Sequence, residues 1–447
     1  MRIIDAQQIT ADEIRTLLKK PAFDEVVLGE GAQKKIEATF GKKMTAEEVV
    51  EEIVTAIRRE GNEAVFRYTK LIDGAELTAD TMEVSDAEFE EAMAKADPLV
   101  VASIEKAIAN VRSFHEEQLP KSWITYREKG AMLGQNVLPI ERVGIYVPGG
   151  TASYPSSVIM NAVPAKVAGV SEIVMTVPPA RDGSVNEYVL VAARLAGVTR
   201  VFKLGGAQAV GALAFGTETV PKVDKITGPG NIFVTLAKKA VYGHTDIDML
   251  AGPSEILILA DETADPVYVA ADMLSQAEHD VLASSMVITT CADLIPKIEA
   301  EVERQLSELA RQDIARASLE KNGMIVLASS REEAAELANI CAPEHLEVLM
   351  QDPFMMLPLL KNAGAIFLGA YSSEPLGDYL AGTNHVLPTG GTARFYSALN
   401  VETFMKKTSI IAYTQEALAD VSDDIIRLAE AEGLGAHANA IRVRGRR

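Results

Sequence analysis

From Arg142 onward, short apolar runs alternate with stretches of helical periodicity, and no other feature limits the fold as tightly. RVGIYV, EIVMTV, RVFKL and DKIT are separated by helical stretches of roughly 10 to 15 residues. Strands joined through helical crossovers lie parallel, so these runs predict a parallel sheet. After Glu255 the pattern repeats with ILILA, SSMVIT, GMIVLA, LEVLM and AIFLG, which predicts a second α/β region. At 447 residues and 48% hydrophobic content, the chain can build about three domains with full cores.

The sequence before Arg142 is mostly helical. Residues 1–44 read as an N-terminal helical arm with one or two short polar helices. Thr45 and Glu48 form a capping box that opens a helix with an apolar stripe at Val49, Val50, Ile53, Val54 and Ile57. Ser85 and Glu88 form a second box, and Asp97-Pro98 starts a long helix that runs to about Gln118. Residues 123–137 alternate well enough for a hairpin turning at Lys129-Gly130. Because this helical section has no sheet of its own, it is expected to pack on the second sheet. That gives a discontinuous α/β domain (45–141 with 255–399), an inserted α/β domain (142–254) and a helical C-terminal piece (400–447) in which the strands stop.

Composition excludes several classes. With 43 Lys and Arg against 63 Asp and Glu, the net charge of -20 repels nucleic acid and anionic lipid. The basic tail RVRGRR reads as a solvated end. Two cysteines, Cys291 and Cys341, cannot form a disulfide framework, which indicates a reducing compartment such as the cytoplasm. The N-terminus shows no apolar segment with a cleavage site, so no signal peptide is expected. The charge-free run 143–165 is broken by Pro148, Pro155 and Pro164, and reads as strand, loop and helix start instead of a membrane span.

The strands of the first sheet end in the small-residue loops PGGTASYPSS, GGAQAVG and GPGN, at the carboxyl ends where open α/β sheets bind ligands. None has GxGxxG spacing, and each reads equally well as a tight strand-to-helix turn. The stretch from Asp248 to Asp280 passes from the loop AGPSE through a strand into a helix whose last turn carries Gln276 and His279. Three residues apart, they share a face and offer imidazole nitrogen and amide oxygen, half of a metal site; the alternative is a polar surface pair.

Glu344-His345, between Pro343 and the LEVLM strand, combines an imidazole that titrates near neutrality with a carboxylate able to orient or deprotonate water. Successive strand residues face opposite ways, so both must still lie in the loop to meet one substrate; a loop-surface pair is the alternative. Asp378 and His385 occupy Gly-rich surroundings that suit a functional loop instead of a helix face, or simple turn formation. Glu432 and His437 lie in the tail, by default a solvated end. Cys341 could act as a nucleophile toward an aldehyde, but it follows the apolar run Ala334, Leu337, Ala338 and reads better as a buried inert thiol.

The strings AGPSE, LSQAEH, APEHLE, GDYLAGTNHVLPT and EGLGAHANA, in this order, with YVPGG, GGAQAVGALAFG and GPGN, resemble histidinol dehydrogenase over roughly residues 142–442. The resemblance implies two Rossmann-like, incomplete parallel-sheet domains, small helical pieces at both termini, and a homodimer that exchanges its tails. It implies one zinc per subunit held by Gln276, His279, Asp378 and His437, with Glu344 and His345 as the acid/base pair. Ser254, His385 and Glu432 join these residues in holding L-histidinol, and Tyr146, Gln208 and Asn231 match positions that hold NAD. Glu432 and His437 would come from the partner. The implied reaction is the four-electron oxidation of L-histidinol through L-histidinal to L-histidine with two NAD in succession. Asp280 stands where the family string has Gly.

Two other readings remain. One keeps the fold and zinc but oxidises another small primary alcohol, such as a sulfonated diol; His385 and Glu432 favour histidinol. The other is a zinc- or nucleotide-binding regulatory module without activity, against which Glu344 and His345 argue.

Overall fold

The structure is a computed structural model that describes residues 1–18, 28–149 and 153–445. Part of the N-terminal arm, residues 150–152 of the PGGTASYPSS loop, and Arg446 and Arg447 of the basic tail therefore lie outside the described residues.

Strand β1 (Arg2–Asp5) opens the chain. After the helical section, β2 (Trp123–Tyr126) and β3 (Met132–Pro139) form an antiparallel hairpin, turning where Lys129 and Gly130 adopt positive φ of 55° and 78°. Next come β4 (Arg142–Tyr146), β5 (Glu172–Thr176), β6 (Arg200–Phe202), β7 (Lys225–Thr227) and β8 (Asp246–Ile247). The second series is β9 (Glu255–Ala260), β10 (Ser284–Thr289), β11 (Met324–Leu327), β12 (His345–Leu349) and β13 (Ala365–Leu368). Strand β14 (Met405–Ala412) comes last.

The two α/β series make two parallel sheets, one of five strands in the order β6-β5-β4-β7-β8 and one of six in the order β1-β11-β10-β9-β12-β13. Every residue of β9, β10 and β12 is buried, as expected of strands covered by helices on both faces. Among the described residues no helix is long and apolar enough to cross a membrane.

Three expectations are corrected. The helical section from Thr45 packs on the five-stranded sheet, not on the second one. Val49, Val50, Ile53, Val54 and Ile57 share a core with Phe202, Leu204, Leu213 and Ile226. On the opposite face, Ile104, Ala107, Ile108 and Val111 of helix Pro98–Glu116 pack with Val158, Ile159 and Val189. The six-stranded sheet has no vacant face, because helices Arg331–Cys341 and Ala11–Leu18 cover one side and Pro266–Ala277, Ile295–Leu306 and Gln312–Asn322 the other. Second, the N-terminal arm is not purely helical: β1 extends the six-stranded sheet by pairing parallel with β11. Third, strands do not stop at Asn400, since β14 pairs antiparallel with β3 to complete a sheet of order β14-β3-β2. MKKTSIIA hid this strand because it is mostly exposed and lacks strict apolar alternation.

Local signals did hold. In the first capping box the Thr45 hydroxyl accepts from Glu48 N at 3.2 Å and the Glu48 carboxylate accepts from Thr45 N at 2.7 Å; Ser85 and Glu88 repeat it.

The GPGN loop is anchored from below. Gly228 has φ of 114°, and a Cβ there would collide with the Tyr146 carbonyl oxygen, so only glycine fits. Its N–H donates to Asp248 Oδ2 at 2.8 Å, and its carbonyl accepts from Lys238 Nζ at 3.0 Å. Lys238 and Asp248 also pair with each other, their side chains only 4% and 1% exposed. Because removal of one partner strands a buried charge, Lys238→Met is expected to cost about 3–5 kcal/mol of stability. The denaturant midpoint reads this directly; a loss below about 1 kcal/mol would show that the pair behaves as a surface one.

Candidate active and metal site

The polar clusters singled out in the second α/β region converge at the amino-terminal ends of β9 and β12. Glu255, the first residue of β9, holds the Glu344-His345 pair through its backbone. Its N–H donates to Glu344 Oε2 at 2.9 Å, and its carbonyl accepts from His345 Nδ1 at 3.2 Å. Glu344 lies in the bend before β12 and His345 is the first strand residue, so the pair straddles the loop boundary instead of lying wholly in the loop. Both are buried. Their nearest atoms, Glu344 Oε2 and His345 Nδ1, stand 3.7 Å apart.

These contacts set the tautomer of His345. Nδ1 carries the proton given to the Glu255 carbonyl, which leaves Nε2 as a bare acceptor; it is buried and has no hydrogen-bond partner among the described residues. Burial lowers the imidazole to about 4, against the opposing pull of Asp378, whose Oδ1 is 3.9 Å from Nε2. Burial acts the other way on Glu344 and raises its carboxyl well above the usual range, despite the Glu255 N–H bond.

Asp378 is not in an open loop, as its glycine-rich surroundings suggested, but on the short helix Glu374–Tyr379. One turn earlier, Glu374 faces the same way and brings Oε1 to 3.8 Å from His345 Nδ1. Its backbone N–H donates to Glu347 Oε1 at 2.7 Å, which ties this helix to the middle of β12. Gln276 closes helix Pro266–Ala277 from inside, fully buried, with Oε1 lacking a partner among the described residues. His279 lies just beyond the helix end, where Nδ1 donates to the Ser275 carbonyl at 3.0 Å and leaves Nε2 free. At the position of the family glycine, Asp280 forms the turn with its own side chain, accepting from Leu282 N at 2.8 Å.

Ligand atoms of His279, Glu374 and Asp378 all lie within 4.8 Å of one another. Nitrogen and oxygen donors this close, beside the orphaned Gln276 carbonyl oxygen, fit a divalent cation such as zinc. Among the described residues no Lys or Arg forms an ion pair with Glu344, Glu374 or Asp378; the basic groups beside them are the imidazoles of His345 and His385. Burial raises Glu374 well above the usual carboxylate range, helped by the charges of Asp378 and Asp272. His385 sits at the edge, Nδ1 donating to the Asp378 carbonyl at 3.2 Å, and burial lowers its affinity for a proton. Ser254 immediately precedes Glu255.

Sequence reasoning missed Glu374, Glu347 and Asp272. A signal existed in the spacing: Asp272 lies one helical turn before Gln276, Glu374 one turn before Asp378, and Glu347 shares a strand face with His345. Burial raises Asp272 and Glu347 as well; the charge of Asp272 and the hydrogen bond between the two raise Glu347 further, while that same bond holds Asp272 back.

The expected cofactor residues lie at the carboxyl end of the five-stranded sheet. Tyr146 and Gln208 meet around Gly206: the Tyr146 hydroxyl accepts from Gly206 N at 3.2 Å, and burial pushes this phenol up to about 12. Gln208 is buried with Oε1 unpartnered. Asn231 caps helix Ile232–Val241, accepting from Phe233 N at 3.1 Å and Val234 N at 3.3 Å. A Cβ on Gly205 would come within 2.7 Å of Pro178, and one on Gly206 within 2.8 Å of the unpartnered Gln208 Oε1, so the backbone there must stay bare beside that buried oxygen. That combination fits a nucleotide lying against the loop. Glu432 and His437 are not brought to the site in the single chain; both are exposed at the end of helix Gln415–Ala431 and on helix Gly435–Gly445.

The sequence profile described as histidinol dehydrogenase matches residues 37–445. The chain belongs to the histidinol dehydrogenase family. The match contains every site residue named above. Among the relatives, the histidinol dehydrogenase of Heliobacterium mobile is 58% identical over 395 residues, 88% of this chain and 92% of that one. That of Clostridium acetobutylicum is 53% identical over 392 residues, 88% of this chain and 90% of that one. The crystal structure of histidinol dehydrogenase from Elizabethkingia anophelis is similar with a TM-score of 0.90 at 36% identity, covering 99% of this chain and 98% of that chain. The α/β architecture is thus that of the histidinol dehydrogenase family, and the chain is an oxidoreductase of histidine biosynthesis.

Proposed function

We propose that this protein oxidises L-histidinol through L-histidinal to L-histidine in the cytoplasm, with two NAD in succession and one zinc per subunit. The observation that carries the reading is the buried, partnerless Nε2 of His345 beside the cluster of His279, Glu374 and Asp378. When bound, zinc supplies an anchor for the substrate and NAD an acceptor for hydride. Gln276, His279 and Asp378, with His437 of the partner subunit, would hold the metal. Tyr146, Gln208 and Asn231 would hold NAD.

His345 takes the hydroxyl proton on Nε2 as hydride leaves the adjacent carbon, which turns the alcohol into an aldehyde. Glu344 takes a proton from water so that oxygen adds to the aldehyde carbon; the hydrate then loses a second proton and hydride to give the acid. The raised proton affinity of Glu344 suits a residue that must accept that proton. Ser254, His385 and the partner's Glu432 line the substrate, and enclosure keeps the aldehyde from escaping between steps.

Metal content and NADH formation test this together. Chelated protein should lose histidinol-dependent NADH formation and regain it with added zinc. His279→Asn and Asp378→Ala should remain folded while binding little zinc, since a catalytic site contributes less to folding than a structural one. Stoichiometric zinc retained in both variants would remove these residues from the ligand set.

A further inference from the structure

We propose that Asn384 is a positioning residue for histidinol, holding His385 in place through a buried hydrogen-bond bridge to the helices of the five-stranded sheet; this rests on His385 lining the substrate. The chain crosses here from one α/β region to the other. Asp378 stands beside His345 at the end of β12, whereas Val386, Leu399 and Val401 share a core with Ile104, Val158 and Met160 on the five-stranded sheet. The crossing is fastened at its start to helix Pro98–Glu116, where Asn110 Nδ2 donates to the Leu380 carbonyl at 2.7 Å.

Asn384 fastens its other end. The side chain is buried, and its Nδ2 donates at 2.7 Å to the Met160 carbonyl of helix Pro155–Ala168, while its Oδ1 accepts from Val386 N at 2.9 Å. His115 of helix Pro98–Glu116, fully buried, takes the remaining direction: its Nδ1 gives a proton to the Val111 carbonyl at 2.7 Å, which leaves Nε2 to accept from Asn384 Nδ2 at 3.4 Å. Burial lowers the proton affinity of His115, so the ring stays neutral and keeps that lone pair. Both ends of the Asn384 amide are thus engaged, and turning it over would set its oxygen against a carbonyl and a bare ring nitrogen. His385, the next residue, is tied on its other side by Nδ1 donating to the Asp378 carbonyl at 3.2 Å. Its ring is therefore held between the helix that carries Asp378 and two helices of the other sheet. A contact residue fixed in this way needs no ordering when substrate arrives, and that saving appears as affinity.

Calorimetric binding of L-histidinol to the full-length, zinc-loaded protein, without NAD, tests the inference. Asn384→Ser keeps a side-chain acceptor for Val386 N but lacks the amide that reaches Met160 and His115, and should weaken histidinol binding about tenfold. Zinc content and NAD affinity should stay as in wild type. His115→Leu leaves the Met160 bond in place and is the milder second variant, expected to weaken binding roughly threefold. His385→Ala should weaken binding at least as much as Asn384→Ser, and combining the two should cost nothing more, because the amide acts through the ring. A merely structural role predicts losses that add. Unchanged histidinol affinity in Asn384→Ser, or in His115→Leu should the serine variant not fold, overturns the role of Asn384, as does full additivity with His385→Ala. Unchanged affinity in His385→Ala itself overturns the substrate-contact reading of that residue, and this inference with it.

Discussion

His345→Asn should lower the rate of both oxidation steps by roughly 10²–10⁴-fold, the usual worth of a positioned general base. The argument rests on which nitrogen is free. Nδ1 is committed to the Glu255 carbonyl, and an Asn amide can replace that donor, so the fold around the pair should survive. What Asn cannot replace is the unprotonated acceptor at Nε2, and each step needs one proton removed as hydride departs. Glu344→Gln should behave differently. Its amide oxygen can still accept from Glu255 N, so binding and the first oxidation should persist, while the second step slows because no group takes the proton from water. Feeding histidinol and histidinal separately to each variant reads the two steps apart. If Glu344→Gln oxidises histidinal at the wild-type rate, the role given to Glu344 is wrong. If His345→Asn slows only one step, a second base must serve the other.

Complementation between two dead variants has an equally large expected effect. His279 belongs to the cluster formed within one chain, whereas His437 is exposed on helix Gly435–Gly445. That helix packs on Gln415–Ala431, which is tied to the β2–β3 hairpin by the Lys129 and Asp420 ion pair. Exposed Trp123, Tyr126 and Ile411 on the adjoining sheet favour a neighbouring subunit there. In a two-fold dimer that exchanges its tails, His279→Asn and His437→Asn should each be inactive alone. Refolded together at random, half the dimers are mixed, and each mixed dimer has one site with both lesions and one with none. About a quarter of wild-type activity should return. Recovery of none, where wild type does refold to activity, would leave each site to be completed by its own chain.

Much of the fold could be read from local order, because strand and helix periodicity, capping boxes and the β2–β3 turn are short-range properties. Strands β4 to β7 and β9 to β13, the Thr45 and Ser85 caps and the start of helix Pro98–Glu116 at Asp97 all follow from a few neighbouring residues. The family strings likewise pointed to Gln276, His279, Glu344, His345 and Asp378, which the fold brings close to one another. Only the tertiary structure decided which apolar stripe met which sheet, since the stripe at Val49 to Ile57 is chemically suited to either and the choice depended on which faces were already covered. It also decided that β1 and β14 are strands, because their hydrogen-bond partners lie hundreds of residues away in the chain. The same holds for the carboxyls. Glu374, Glu347 and Asp272 look like ordinary surface acids in one dimension, and only burial changes what they can do.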